Sequence, residues 1–106
     1  MKLWIDDIRP APEGYVCIRS VNEAIRYIKI YSDYIDFSNS LVDCIELIDI
    51  DHDAGDYARY GGDYIKLLEW LEVTGRNYPI RIHSMNPVGV ANMRAIIQKN
   101  GWKEIY

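Results

Sequence analysis

The chain has little that would tie it to a membrane, an oxidising compartment or a polyanion. No apolar run reaches the length of a bilayer-spanning helix. No secretory core follows Met1-Lys2, so a cytoplasmic location is the expectation. Cysteine is scarce. Cys17 and Cys44 are the only two, both in apolar surroundings, and they read as buried reduced thiols rather than a disulfide. Basic charge is outnumbered: 12 Lys and Arg face 16 Asp and Glu, a net charge of −4. That excludes a protein that coats nucleic acid non-specifically, which needs many phosphate contacts. It leaves room for one small nucleotide in a local positive pocket. There is no internal repeat and no low-complexity segment, and 106 residues predict one domain over 1–106.

What is present is a hydrophobic share of 49%, enough for a real core. Leu3–Ile5 is a short apolar run bounded by charge and reads as a buried strand. Residues 6–14 carry Pro10, Pro12 and Gly14 and form a loop, and Tyr15–Ile18 is a second strand. Ser20 followed by Glu23 is a capping box for a helix with Val21, Ala24, Ile25 and Ile28 on one face. Asp36–Asp43 is polar and irregular. Ile45–Ile50 is a strand, although Glu46 and Asp49 are awkward in one buried on both faces. Ala54–Gly62, with three glycines, reads as a loop. Tyr64–Val73 is a helix ended by Gly75. Ile80–Ile82 is a strand. Asn86 caps a helix with Pro87 in its first turn and Gly101 at its end. Trp102–Tyr106 closes the chain as a strand. Strands alternating with helices predict an α/β fold with a mostly parallel sheet and helices on both faces, a three-layer sandwich of about five strands and three helices.

The chemistry-bearing residues sit at strand ends, where open α/β sheets bind ligands. Asp6-Asp7 ends the first strand and suits a hard divalent cation such as Mg²⁺ or Mn²⁺. Asp51-His52-Asp53 follows the third strand, and a carboxylate beside an imidazole can orient it for general acid–base work. His83-Ser84 follows the next strand. The helix opening at Asn86-Pro87 offers its positive end to a phosphate, with Gly89 allowing close approach. Arg9 can neutralise a phosphate. Arg59, Tyr57 and Tyr60 lie in a loop long enough to cover a pocket, where a tyrosine could stack on a base.

Three blocks carry a wider resemblance: Leu3-Trp4-Ile5-Asp6-Asp7-Ile8-Arg9-Pro10, then Ile50-Asp51-His52-Asp53-Ala54-Gly55, then Ile82-His83-Ser84-Met85-Asn86-Pro87-Val88-Gly89 with Asn92-Met93. Together they resemble the cyclic-phosphate processing receiver-like family over nearly the whole chain. The third block is the most specific. The resemblance implies a receiver-like (flavodoxin-type) fold and a role in processing cyclic phosphates on nucleotides or RNA ends. It brings Asn86, Val88, Gly89 and Asn92 into the phosphate-binding set. Ala54 departs from the larger aliphatic residue usual there, a local packing change. The wider likeness is to response-regulator receivers, whose acidic pair, phosphoacceptor and hydroxyl residue match Asp6-Asp7, Asp51 and Ser84. Their Lys after the fifth strand has no counterpart, because Lys103 precedes or opens that strand. Two histidines stand in addition.

The leading expectation is a phosphoesterase, a cyclic-phosphodiesterase-like hydrolase. In it His52 and His83 share the roles of general base and acid, with Asp51 and Ser84 completing the catalytic set. Asp6, Asp7, Asp51 and Asp53 either hold a divalent cation or orient the histidines. The partner is a small cyclic nucleotide or an RNA end carrying a cyclic phosphate. A receiver-type phosphoacceptor using Asp51 and a non-catalytic nucleotide-binding adaptor are the alternatives.

Overall fold

The computed structural model describes residues 1–32, 34, 35, 38 and 41–106. The Ser20 half of the capping box forms: the Glu23 backbone N–H donates to Ser20 Oγ at 3.1 Å and opens α1 (Val21–Ser32), whose Val21, Ala24 and Ile28 are buried. β1 (Lys2–Ile5) and β2 (Tyr15–Ile18) precede it. β3 (Tyr34–Ile35) and β4 (Leu41–Val42) form a small antiparallel ribbon after it. Half of the stretch expected to be irregular over 36–43 lies outside the described residues, at 36, 37, 39 and 40, and in the other half Leu41–Val42 forms a strand. β5 (Leu47–Ile50), α2 (Ile65–Val73), β6 (Ile80–Ile82), α3 (Pro87–Asn100) and β7 (Glu104–Ile105) follow. The Gly-rich segment expected as a loop winds into a 3₁₀ helix over Gly55–Tyr60. At the end of α3, Gly101 takes φ +66°, a conformation only glycine adopts cheaply, and its N–H caps the carbonyls of Ile97 and Gln98.

The main sheet has five strands, all parallel, in the order β2-β1-β5-β6-β7. This is the receiver-like α/β arrangement. The steps β2–α1–β5, β5–α2–β6 and β6–α3–β7 all advance in one direction across the sheet. Right-handed crossovers then place all three helices on one face. Their packing agrees, since α2 lies against both α1 and α3. Leu3, Ile5, Ile18, Ile48, Ile50 and Ile80 point to that face and are fully buried. Helices on both faces are therefore not what the described residues form. The one backward step, β1 to β2, is made by a loop with no helix in it.

The other face of the sheet is different in kind. Trp4, Asp49 and Arg81 stand beside one another in register across β1, β5 and β6. Cys17 is next to Trp4 on the outer strand β2 and is exposed, and Cys44 is half-buried. The expectation of two buried thiols fails: Cys17 is on β2 at the sheet edge, and Cys44 lies in the segment between β4 and β5. Asp49, awkward in sequence, is fully buried here.

Truncation in the layer under the helices should be costly. Ile48→Ala on the central strand is expected to lose about 2–5 kcal/mol in urea unfolding. Ile8→Ala, in the exposed loop after β1, should stay within about 0.5 kcal/mol of the parent.

Candidate functional site

The sheet's hydrogen bonding runs one residue past β1, β5 and β6 at the carboxyl edge. Asp6 N–H donates to the Ile18 carbonyl (3.2 Å), Asp51 N–H to that of Ile5 (2.9 Å) and His83 N–H to that of Ile50 (2.9 Å). Asp6, Asp51 and His83 are thereby held on three adjacent strands at one edge. One oxygen each of Asp6, Asp7 and Asp51 lies within 4.8 Å of the others. Gly55, at φ +53°, makes room for this group, because a Cβ there would overlap the Asp7 carboxylate. Three hard oxygen donors so close suit a small divalent cation. Asp53 does not join them. It is exposed, and its carboxylate faces His52 instead.

The environment splits the acidic pair. Burial disfavours ionised Asp6, but the backbone N–H groups of Ile8 and Arg9 (2.9 and 2.8 Å to Oδ1) and the His83 ring outweigh it and hold the carboxyl below its usual range. Asp7 is pushed up by burial and by the charges of Asp6 and Asp51, against its own backbone N–H. Beneath them, burial and the same three carboxylates drive the Tyr64 hydroxyl far above its ordinary value. It stays protonated and donates to the Arg19 carbonyl at 2.7 Å.

His52 lies over the start of α3. Its ring packs on Gly89, where a Cβ would overlap it. Asp53 Oδ1 sits 2.7 Å from Nδ1, and Asn86 Nδ2 is 3.5 Å from the same nitrogen. A carboxylate only accepts, so Nδ1 carries the hydrogen and Nε2 keeps its lone pair in the neutral ring. Nε2 has no hydrogen-bond partner among the described residues. The lack of a side chain at Gly89 thus makes room for the histidine ring. The Gly89 N–H is already taken by Asn86 Oδ1 (3.0 Å), and Pro87 has none, so the helix end has fewer N–H groups for a phosphate than the sequence suggests.

His83 is bound on every side. Nδ1 meets Asp49 Oδ1 at 2.7 Å and Nε2 meets Asp6 Oδ2 at 2.9 Å. The ring stacks on Trp4 at 3.9 Å between centroids and 3° between planes. Its side chain is 6% exposed. Each ring nitrogen thus faces a carboxylate oxygen. Arg81 places a guanidinium on the same acid, with Nη1 3.1 Å from Asp49 Oδ2. The sequence reading of His83 as a group open to substrate meets this geometry, in which neither nitrogen is free. Asp49 was missed as a site residue. The signal was present, since a charge inside an apolar strand needs a partner.

The remaining expected residues are scattered around the edge. Arg9 reaches the His83 carbonyl with Nη1 (3.0 Å) and is otherwise exposed. Ser84 Oγ accepts the Asn86 N–H at 3.1 Å, an ordinary turn bond. Val88 is 72% exposed, and Asn92 is exposed further along α3. Arg59 folds back on its own loop, with Nε 3.1 Å from the Asp56 carbonyl. Tyr57 joins Asp7, Ile8, Gly55 and Asp56 around a hollow of about 240 Å³ beside the acids, while Tyr60 does not line it. A larger groove of about 310 Å³ lies at the opposite edge, lined by Lys2, Glu46, Leu47, Pro79, Lys103 and Ile105, and holds none of the site acids.

Strand order 2-1-5-6-7 with acids at the ends of β1 and β5 defines a receiver-type α/β domain. The family model of the cyclic-phosphate processing Receiver domain matches residues 1–99, and the chain belongs to that family. No curated protein and no solved structure matches it.

Two outcomes are expected. Gly89→Ala should cost about 1–3 kcal/mol by overpacking and displace the His52 ring, seen as a shift of its imidazole resonances, whereas Val88→Ala leaves both unchanged. The acidic pair should titrate with opposite signs. The lowered Asp6 value adds stability that is present above the unfolded carboxylate range and is lost as pH falls through the folded value. The raised Asp7 value does the reverse, favouring the fold at low pH and costing stability at neutral pH. In metal-free buffer at pH 7, Asp7→Asn should therefore melt higher than the parent and Asp6→Asn lower.

Proposed function

We propose that this domain hydrolyses a cyclic phosphate ester on a nucleotide or RNA end, with His52 as the proton-transfer group. The observation that carries the reading is the His52–Asp53 pair seated on Gly89. Its one unpartnered ring nitrogen stands at the same sheet edge as the acidic trio. Asp53 fixes the tautomer. Nε2 takes a proton from the attacking water, the new P–O bond forms, and one ester P–O bond of the ring breaks. The leaving oxygen takes its proton from solvent, giving a phosphomonoester and a free hydroxyl. Asp6, Asp7 and Asp51 would hold a divalent cation, which supplies charge neutralisation to the phosphate. Arg9 supports the same anion from the rim. Tyr57 and the hollow beside Asp7 offer a surface for the nucleoside. His83 supports Asp6 from beneath through Nε2.

A phosphoacceptor reading is favoured by one feature, the position of Asp51 beside the acidic pair at the end of β5. Lys103, the last lysine of the chain, borders the groove at the far edge of the sheet, away from the acids.

The test is a panel of 2′,3′- and 3′,5′-cyclic mononucleotides and of RNA oligomers ending in a 2′,3′-cyclic phosphate, with and without Mg²⁺ or Mn²⁺. Ring opening is expected with metal, and His52→Ala should lower kcat/KM by about 10²–10⁴-fold. Full activity in His52→Ala would refute the assignment. Labelling by acetyl phosphate that disappears in Asp51→Asn and survives in His52→Ala would establish the phosphoacceptor instead.

A further inference from the structure

The least expected charge in the molecule is Asp49. It sits inside β5, on the sheet face without helices, and is fully buried. It makes two contacts of different strength. Arg81 reaches Oδ2 at 3.1 Å from a partly solvated position, 42% exposed. The His83 ring reaches Oδ1 at 2.7 Å from a buried one. Trp4 closes the third side by stacking on that ring. The imidazole has two rotational freedoms, and these contacts remove both. The Trp4 plane fixes the ring's tilt, and the Asp49 hydrogen bond fixes its rotation in that plane. Nε2 can then point in only one direction, at Asp6 Oδ2. Asp6 Oδ1 is held by the backbone N–H groups of Ile8 and Arg9. With both oxygens engaged, its carboxylate has one orientation.

We infer that Asp49 is a positioning residue, which, with Trp4, locks His83 so that His83 fixes the Asp6 carboxylate in the acidic trio. This rests on the trio being the working centre of the proposed function. Asp49 touches no substrate. It acts two residues away, through an imidazole that is itself shielded from solvent. The arrangement resembles the carboxylate–histidine pairs that orient metal ligands, with the histidine here supporting an acid and not the ion itself. His83, from this view, is held too firmly on both nitrogens to exchange protons with a substrate.

The test separates geometry from charge with two variants. Asp49→Asn removes the charge but keeps a carbonyl acceptor for Nδ1–H, and Asp49→Ala removes both. The readouts are the ¹⁵N-resolved ring N–H resonances of His83 at fixed pH and the affinity for Mn²⁺. The parent should show both ring N–H signals, protected from exchange. Asp49→Asn should keep them and bind Mn²⁺ like the parent. Asp49→Ala should lose the Nδ1–H signal and bind Mn²⁺ about tenfold more weakly, the lower end of the usual cost of losing an outer partner. Equal weakening in both variants would assign the effect to charge and overturn the positioning role. So would unchanged ring signals in Asp49→Ala. If Asp49→Ala does not fold, absence of an Nδ1–H signal in the parent overturns the proposal by itself. If the parent binds no Mn²⁺, the cation part of the proposed function fails, and the ring signals of the two variants decide the role of Asp49 alone.

Discussion

Asp6, Asp7 and Asp51 crowd one edge of this small sheet, Asp49 lies within β5, and Asp6 and Asp49 are buried. A buried carboxylate is expensive unless it is paired and hydrogen-bonded. The single imidazole of His83 bridges both, at 2.9 and 2.7 Å. Much of the site's layout follows from that bridge. It needs a flat apolar surface under the ring, which Trp4 provides, and a guanidinium for Asp49, which Arg81 provides. It also needs His83 to leave β6 in line with Asp6 and Asp51, which the continued hydrogen-bond ladder ensures. Asp7 shares this edge with Asp6 and Asp51. This is where burial and neighbouring charge push a carboxyl up. Raised values of this kind gather at functional sites.

The two histidines, symmetric in sequence, are made unequal by the sheet. His52 follows β5 and turns onto the helix side, where Gly89 gives it a seat and Asp53 fixes its tautomer. His83 follows β6 and turns to the face without helices, where it meets Trp4 and Asp49. One keeps a free nitrogen at the open edge, and the other becomes part of the frame. Among the described residues no helix covers that second face, which leaves room for a polar network of this size. A helix layer would press apolar side chains against Trp4 and Arg81. The loop after β1 covers the network in part, with the Arg9 carbonyl accepting from Trp4 Nε1 at 3.2 Å.

The composition, the capping signals and the strand-end motifs carry a large part of the account. Ser20 with Glu23, Asn86 with Pro87, and Gly75 and Gly101 marked helix ends that the structure keeps, because capping is a local matter of unsatisfied N–H and C=O groups. The alternation of strands and helices carried the parallel sheet, and the three sequence blocks carried the family. The acids at the ends of β1 and β5 were legible for the same reason: in a parallel sheet every strand ends at the same edge.

What lay beyond the sequence was decided by pairs of residues far apart in the chain. Which face the helices occupy depends on strand order, and local periodicity carries no record of strand order. Whether Gly89 receives an anion or an imidazole depends on His52, which a linear reading places in another loop. Asp49 stood out in the sequence only as a misfit. Its partners are Arg81 and His83, more than thirty residues away, and only the folded sheet brings them into contact. The sequence determined the class of fold, the family and the stock of reactive groups, because these follow from local patterning and motif chemistry. The tertiary structure decided which histidine keeps an unpartnered nitrogen, which acids are buried and paired, and which face carries no helix among the described residues, because each is set by distances between strands.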